Sequence, residues 1–109
     1  MTKLPGTSVR GSKSGRPIMV LLDTLGKRWT LRILWELYQI DAATFRELRS
    51  RCEDVSPTLL NNRLKDLRAL KLVTQGDDGY GLTQQGQTLS RKLVPLDAWA
   101  NEWAKSLDI

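Results

Sequence analysis

Four polar side chains with no acid among them share one side of the segment 55–73, which reads VSPTLLNNRLKDLRALKLV. At about 100° per residue, Thr58, Asn62 and Lys65 project away from the leucines of this segment, and Asn61 flanks them. Asn can form two hydrogen bonds with an adenine edge, Lys can bind guanine, and Thr can bind several base edges or a phosphate. The alternative is a solvated helix face, but Asn is a poor helix former, and two consecutive exposed Asn residues favour a binding role. The pattern therefore favours contacts with the base edges of DNA.

A helix that enters a major groove needs such side chains near its N-terminus. The residue types alone make candidates of Ser56, Thr58, Asn61, Asn62, Arg63 and Lys65. Arg63 projects only about 60° from the leucine stripe, so bracing the fold is its alternative role. Phosphate contacts are expected from neighbouring elements, and their candidates are Lys27, Arg28, Thr44, Arg46, Arg49 and Arg51. The alternative for these residues is an ordinary polar surface whose charges are partly paired with nearby acids.

The positive charge of the chain is concentrated at its start. The 109 residues carry a formal net charge of +5, with 17 basic and 12 acidic residues. The basic residues among the first 16 positions are Lys3, Arg10, Lys13 and Arg16, and no acid accompanies them. The remaining 13 bases nearly balance the 12 acids. We expect residues 1–16 to form a disordered basic tail, which is either simply solvated or attracted to a polyanion, and residues 17–109 to form one folded domain.

Residues suited to catalysis or metal binding are scarce. The chain has no histidine and a single cysteine, which excludes a catalytic Cys/His or Ser/His/Asp arrangement and the usual zinc site. It has no P-loop or GxGxxG motif either, so we expect neither an enzyme nor a bound metal or cofactor. Cys52 occupies an apolar helical position and is expected to be a small buried side chain. The absence of a secretory signal, of a membrane span and of a cysteine pair predicts a cytoplasmic protein.

Helix signals precede the polar segment. Pro17 opens a helix that stops near Gly26, and a second apolar face runs through RWTLRILWELYQI. Thr44 and Glu47 form a capping-box pair at the start of a third helix. Ser56 is a preferred N-cap for the fourth helix. The order of two short helices joined by a tight turn is that of a helix-turn-helix.

A hairpin and a helical C-terminus follow the polar segment. The sequence LVTQGDDGYGL predicts strands over residues 72–75 and 80–82, joined around Asp77, Asp78 and Gly79. Thr83 is expected to cap a final helix that Pro95 kinks or ends. The apolar seam of that helix consists of Leu89, Leu93, Leu96, Ala100, Trp103 and Leu107, with Trp99 one turn before Trp103. Its steps alternate between four and three residues, as in a coiled-coil seam, which favours a dimer interface over a cover for the domain's own core.

The predicted fold is therefore mainly α with a small β-hairpin: a winged helix-turn-helix with flanking dimerisation helices. Three stretches, LGKRWTLRILWEL, FRELRSRCEDVSPTLLNNRLKDLRALKLV and YGLTQQGQTLSRKLVPLDAW, resemble the HxlR family of winged-helix transcription regulators. The resemblance implies a homodimer that places two recognition helices on a palindromic operator in double-stranded DNA. It assigns to the recognition helix Ser56, Pro57, Thr58, Asn61, Asn62 and Arg63, and to the wing residues 74–80.

Two departures from the family pattern limit what the resemblance implies. Family members often have a cysteine just before the proline of the first helix, where some sense electrophiles or oxidants. Arg16 holds that place here, which excludes thiol sensing by that route. The wing is short and carries Asp77 and Asp78 at its tip, where the negative charges of these acids repel a DNA phosphate. The main hypothesis is a dimeric DNA-binding regulator with an unknown effector, and the alternative is a winged-helix module that binds a protein partner.

Overall fold

The computed structural model describes residues 2–108 of the chain. Its elements, in chain order, are α1 (Pro17–Leu25), α2 (Thr30–Tyr38), α3 (Phe45–Arg51), α4 (Pro57–Ala69), β1 (Val73–Gly76), β2 (Gly79–Leu82), α5 (Gln84–Arg91) and α6 (Leu93–Ser106). The predicted fold class is confirmed: helices surround a two-stranded antiparallel hairpin. Within residues 2–108, no helix has the length and apolar character that crossing a membrane requires.

The core forms between the apolar faces of α2, α3 and α4. Leu60, Leu64 and Leu67 of α4 are buried, as their spacing predicts, and they join Ile33, Leu34, Leu37 and Leu48 in one cluster. Cys52 is fully buried in the same cluster, where burial raises the pKa of its thiol. Burial of each leucine contributes about 1.5–3 kcal/mol of transfer free energy. These contacts hold α4 with its polar side chains facing outward.

The strands of the hairpin differ from the prediction by one residue: β1 begins and ends one residue later, and β2 begins one residue earlier. Val73 pairs with Leu82 and Gly76 with Gly79, so only Asp77 and Asp78 form the turn. Gly79 has φ +112°, and a side chain there would meet the backbone oxygen of Ala43. Ala43 and Tyr80 also exchange backbone hydrogen bonds of 2.7 and 2.9 Å. The loop before α3 therefore pins the hairpin in place.

The C-terminal helix is broken before its proline. The residue between α5 and α6 is Lys92, and Pro95 lies in the first turn of α6. Because proline has no N–H to bond the carbonyl four residues earlier, the chain starts a new helix in which that donor is not needed. No residue of α6, from Leu93 to Ser106, is buried, but Leu93, Leu96 and Ala100 line an open groove with residues of α2. The radius of gyration is 14.8 Å, against roughly 13 Å for a compact chain of this length.

The N-terminal segment, residues 2–16, lies against the folded domain in this structure. Val9 is only 7% exposed and forms a backbone bridge with Ser12. The Thr2 hydroxyl donates a 2.6 Å hydrogen bond to Asp66 of α4. The division of the chain into a disordered tail and a domain stays a prediction, but the structure shows which contacts the segment can make.

Candidate nucleic-acid interface

The outward face of α4 consists of polar side chains that the fold leaves unused. Ser56 caps the helix by accepting a hydrogen bond from the Leu59 N–H, and Pro57 occupies the first turn. Four of the side chains that this helix exposes to solvent are Thr58, Asn61, Asn62 and Lys65. Among residues 2–108, no hydrogen bond or ion pair engages any of the four. Their donors and acceptors are therefore available to a ligand.

The turn between α3 and α4 sets the angle at which that face is presented. Glu53 and Asp54 both adopt left-handed backbone angles, with φ 56° and 57°. Arg49 spans this turn: its Nε donates to the Val55 carbonyl oxygen at 2.7 Å, and a terminal nitrogen donates to the Asp54 carbonyl oxygen at 3.3 Å. Arg49 thus braces the two helices in the free protein, a role that sequence reasoning did not find.

A second brace joins α4 to the loop before α2. Arg63 is half-buried, and its Nε donates to the Arg28 carbonyl oxygen at 2.8 Å. This contact matches the alternative role that the helical projection suggested for Arg63. Asp66 lies 3.9 Å from a terminal nitrogen of Arg63 and accepts a 3.3 Å hydrogen bond from Lys27 Nζ. Lys27 is therefore tied to α4, while the Arg28 side chain is exposed beside it.

The Asp66 carboxylate is the meeting point of three elements. Partial burial by itself raises the pKa of Asp66, but the hydroxyl of Thr2 and the charges of Lys27 and Arg63 outweigh it. The net result is a pKa below the ordinary value, so Asp66 is ionised near neutral pH. Ionised Asp66 partly neutralises the charges of Lys27 and Arg63 at one edge of the polar face. Lys65 and Arg68, which have no charged partner among residues 2–108, are then cations that α4 offers to a ligand.

The remaining phosphate candidates differ in how much of their side chain is available. Arg46 is exposed on α3 and has no ion-pair or hydrogen-bond partner among the described residues. Arg51 is paired with Glu36 at 3.3 Å, within a network that includes Arg32. Thr44 is exposed but forms the predicted capping box, in which its backbone N–H and hydroxyl hold the pKa of Glu47 below its usual value. Arg46 is thus the most available of these side chains.

The wing borders the other edge of the polar face. A groove between α4 and the hairpin is lined by Lys65, Arg68 and Lys71 on one side and by Thr74 and Gln75 on the other. Side chains with hydrogen-bond donors therefore line this groove from both sides. The acids at the wing tip are exposed and lie outside this groove.

This arrangement of helices, turn and hairpin matches a known family. A family model for the HxlR-like helix-turn-helix matches residues 24–108, which is most of the chain. The chain belongs to the HxlR family. It is a winged helix-turn-helix protein of a family of transcription regulators, and the recognition made from its sequence motifs is confirmed.

Solved structures of similar proteins share this fold. The crystal structure of a possible HxlR family transcriptional factor from Thermoplasma volcanium GSS1 is 29% identical, with a TM-score of 0.71 over 78% of this chain and 82% of that chain. The quinone-bound YodB from B. subtilis is 28% identical, with a TM-score of 0.69 over 78% of this chain and 94% of that chain. A Mycobacterium tuberculosis MarR family protein is 20% identical, with a TM-score of 0.55 over 81% of this chain and 79% of that chain, and shares the fold alone.

The C-terminal helix of this HxlR family member presents an apolar surface. Leu96, Trp99 and Trp103 are 55%, 59% and 52% exposed, and the two tryptophan rings stack with centroids 5.8 Å apart. Leu93 is half-buried at the start of α6, and Leu89 packs against the protein's own core. The predicted seam is therefore divided between a core contact in α5 and an exposed face on α6.

Sequence reasoning missed the contacts that orient the site. Arg63 and Asp66 are three residues apart on α4, which is a signal that the two side chains can pair. Thr2 and Asp66 are 64 positions apart, and Arg63 and Arg28 are 35 apart. No local pattern brings such pairs together, so only the folded chain reveals them.

Proposed function

We propose that this HxlR family protein regulates transcription by binding a palindromic operator in double-stranded DNA as a homodimer. The observation that carries the proposal is the exposed face of α4 formed by Thr58, Asn61, Asn62 and Lys65, which no other described residue engages. It lies on the second helix of a helix-turn-helix, which is the helix that enters the major groove in this motif. In the proposed complex these side chains read base edges, and Ser56 and Pro57 bring the N-terminus of α4 towards a phosphate.

Phosphate contacts support this docking from the neighbouring elements. Arg28 and Arg46 are exposed, and we assign them to the DNA backbone together with Thr44 at the start of α3. Lys27, Arg49 and Arg63 each hold a bond to another part of the chain. Their main contribution to binding is to fix α4 in position, since a rigid helix loses less entropy on binding.

The apolar surface on α6 supports a homodimer. Large exposed apolar side chains are concentrated there: Val94, Leu96, Trp99, Trp103 and Leu107. The α1 residues Ile18 and Leu22 are also half exposed. A monomer rarely exposes so many large apolar side chains on neighbouring positions, whereas a two-fold interface buries them. A dimer would present two copies of α4, which is what a palindrome requires.

The first experiment is a selection from fragmented genomic DNA of the source organism, followed by sequencing of the bound fragments at two salt concentrations. Recovery of a shared palindrome at the higher salt, with anisotropy confirming its affinity, supports the proposal. Binding that disappears with salt and enriches no sequence contradicts it, because charge attraction alone produces that result. In that case the Trp99 and Trp103 surface would be tested for a protein partner.

A further inference from the structure

The N-terminal segment, residues 2–16, reaches the polar face of α4. Thr2 Oγ1 donates to Asp66 Oδ1 at 2.6 Å, a hydrogen bond to a charged acceptor. Thr2 and Leu4 line one wall of a groove whose other wall includes Asn62 and Lys65. The start of the chain is therefore adjacent to two of the side chains that we assign to base reading.

The path of the segment is defined by its own backbone bonds. The Gly6 N–H donates to the Gly15 carbonyl oxygen at 2.9 Å, and Val9 and Ser12 exchange bonds of 2.9 and 3.0 Å. Gly15 has φ +72°, and a Cβ there would collide with the Thr7 carbonyl oxygen, so the turn closes tightly on itself. The backbone of the segment accordingly follows a defined path.

Those charges extend the basic surface around Lys27. All four basic side chains of the segment are exposed, and residues 2–16 contain no acid. Arg10 lines a groove with Lys27, and Lys27 also lines the groove that contains Thr2, Asn62 and Lys65. Lys27 thus connects the bases of the segment with the groove beside α4, and the acids along this path are Asp23 and Asp66.

The segment and the wing lie at opposite edges of α4. On a helix that turns about 100° per residue, Asp66 and Arg68 project roughly 160° apart, with Lys65 and Ala69 between them. Asp66 holds Thr2, whereas Arg68 borders the groove beside the hairpin. The wing tip adds two acids, Asp77 and Asp78, beyond the bases Arg68 and Lys71, whereas the N-terminal segment adds only bases.

We propose that the N-terminal segment is a second DNA-binding element that contacts the phosphate backbone beside the groove entered by α4. The proposal rests on the function proposed above. Lys3 and Arg10 neutralise phosphates, and the Thr2–Asp66 hydrogen bond holds the segment against α4 before DNA arrives. Restraining the segment in the free protein lowers the entropy that it loses on binding.

The charge contribution is tested with the double variant Lys3→Gln/Arg10→Gln in the full chain. The matched control is Lys92→Gln/Lys105→Gln, which removes two exposed charges at the other end of the protein. Binding constants are measured by anisotropy across a salt series on the selected operator and on a random duplex. We expect the salt slope of the N-terminal variant to be shallower by about 0.9 for each phosphate that the protein no longer neutralises, and that of the control to match the wild type.

The anchor is tested separately with Thr2→Val, which removes the hydroxyl and keeps the side-chain shape. Thr2→Ser keeps the hydroxyl and serves as its control. Removal of one hydrogen bond to a charged group should weaken operator binding by up to about tenfold in Thr2→Val, and Thr2→Ser should restore it. Thermal unfolding verifies that all four variants fold.

Each outcome bears on a separate claim. The protein could select an operator and yet show equal salt slopes for Lys3→Gln/Arg10→Gln and for its control. That result would overturn the role of the segment and leave the proposed function intact. Tighter binding by the Lys3→Gln/Arg10→Gln or Thr2→Val variant also overturns it, because the segment would then cover α4. The salt slope of the N-terminal variant on random duplex could also be shallower in a protein that selects no palindrome. That result would support DNA binding by the segment and contradict binding to a palindromic operator.

Discussion

Arg49 Nε donates to the Val55 carbonyl oxygen at 2.7 Å, across the turn that joins α3 to α4. Arg46, one helical turn earlier, is exposed and makes no such contact among the described residues. Two arginines on one short helix therefore have different tasks. One orients α4 in the free protein, and the other is available to DNA.

Arg49→Met should lower the free energy of unfolding by about 1–2 kcal/mol, because it leaves two backbone carbonyl oxygens without their donors. Urea unfolding measures the change. Arg46→Met, the control, should stay within about 0.5 kcal/mol of the wild type. Equal stability of the two variants would show that the Arg49 contacts do not hold the turn.

Asn62→Ala should reduce the discrimination between operator and random DNA by about 1–3 kcal/mol, as expected when a bidentate base contact is removed. Anisotropy titrations on the two duplexes measure the difference. Asn101→Ala changes another exposed helical Asn, on α6, and should leave both affinities unchanged. Equal reductions in affinity for both duplexes would assign Asn62 to the backbone instead of a base.

Trp103→Ala should weaken self-association by at least about tenfold, because it removes a half-exposed ring and its stack on Trp99. Sedimentation equilibrium over a dilution series reports the dissociation constant. Glu102→Ala alters the neighbouring exposed residue and is the control for a general change in α6. A mass that does not differ between Trp103→Ala and wild type at any dilution contradicts the α6 interface.

Gly86→Ala should destabilise the protein by about 1–3 kcal/mol, because a Cβ at this position would collide with the Leu72 carbonyl oxygen. Gly76→Ala is the matched control, since no described atom lies within 4 Å of its added carbon. Thermal unfolding compares the two. A Gly86→Ala protein as stable as Gly76→Ala would mean that α5 can move away from the hairpin at little cost.

The contribution of Asp66 to stability should depend on pH in the acidic range. Its pKa is lower in the folded protein than in the unfolded chain, so the stabilisation is present above the ordinary carboxyl pKa of about 3.9. It should disappear as the pH falls through the lowered value. The free energy of unfolding of Asp66→Asn, compared with wild type at pH 7 and pH 3, should differ more at pH 7. An equal difference in the free energy of unfolding at the two pH values would show that the stabilisation does not come from ionisation of Asp66.

The sequence by itself determined helices α1 to α4, the caps of α3, α4 and α5, and the face that α4 buries, but not the break that separates α5 from α6. The leucine spacing of α4 predicted which side is buried, because an amphipathic helix has one stable way to face a core. Thr44, Ser56 and Thr83 were predicted as caps, and each accepts the expected backbone hydrogen bond. In the stretch YGLTQQG, residues 80–86, Thr83 caps α5, and Gly86 allows the close approach of α5 to the Leu72 carbonyl oxygen.

Only the tertiary structure decided which polar side chains are free and which are used inside the protein. The candidates Arg46, Arg49 and Arg63 have the same side chain, yet within residues 2–108 two of them bond to backbone carbonyls and one does not. The partners of Thr2 and Arg63 are distant in the chain, so their contacts depend on how the fold places the N-terminal segment and the loop after α1 beside α4. Helix periodicity encodes burial through local geometry, whereas a hydrogen bond between distant segments exists only once the core has placed them together.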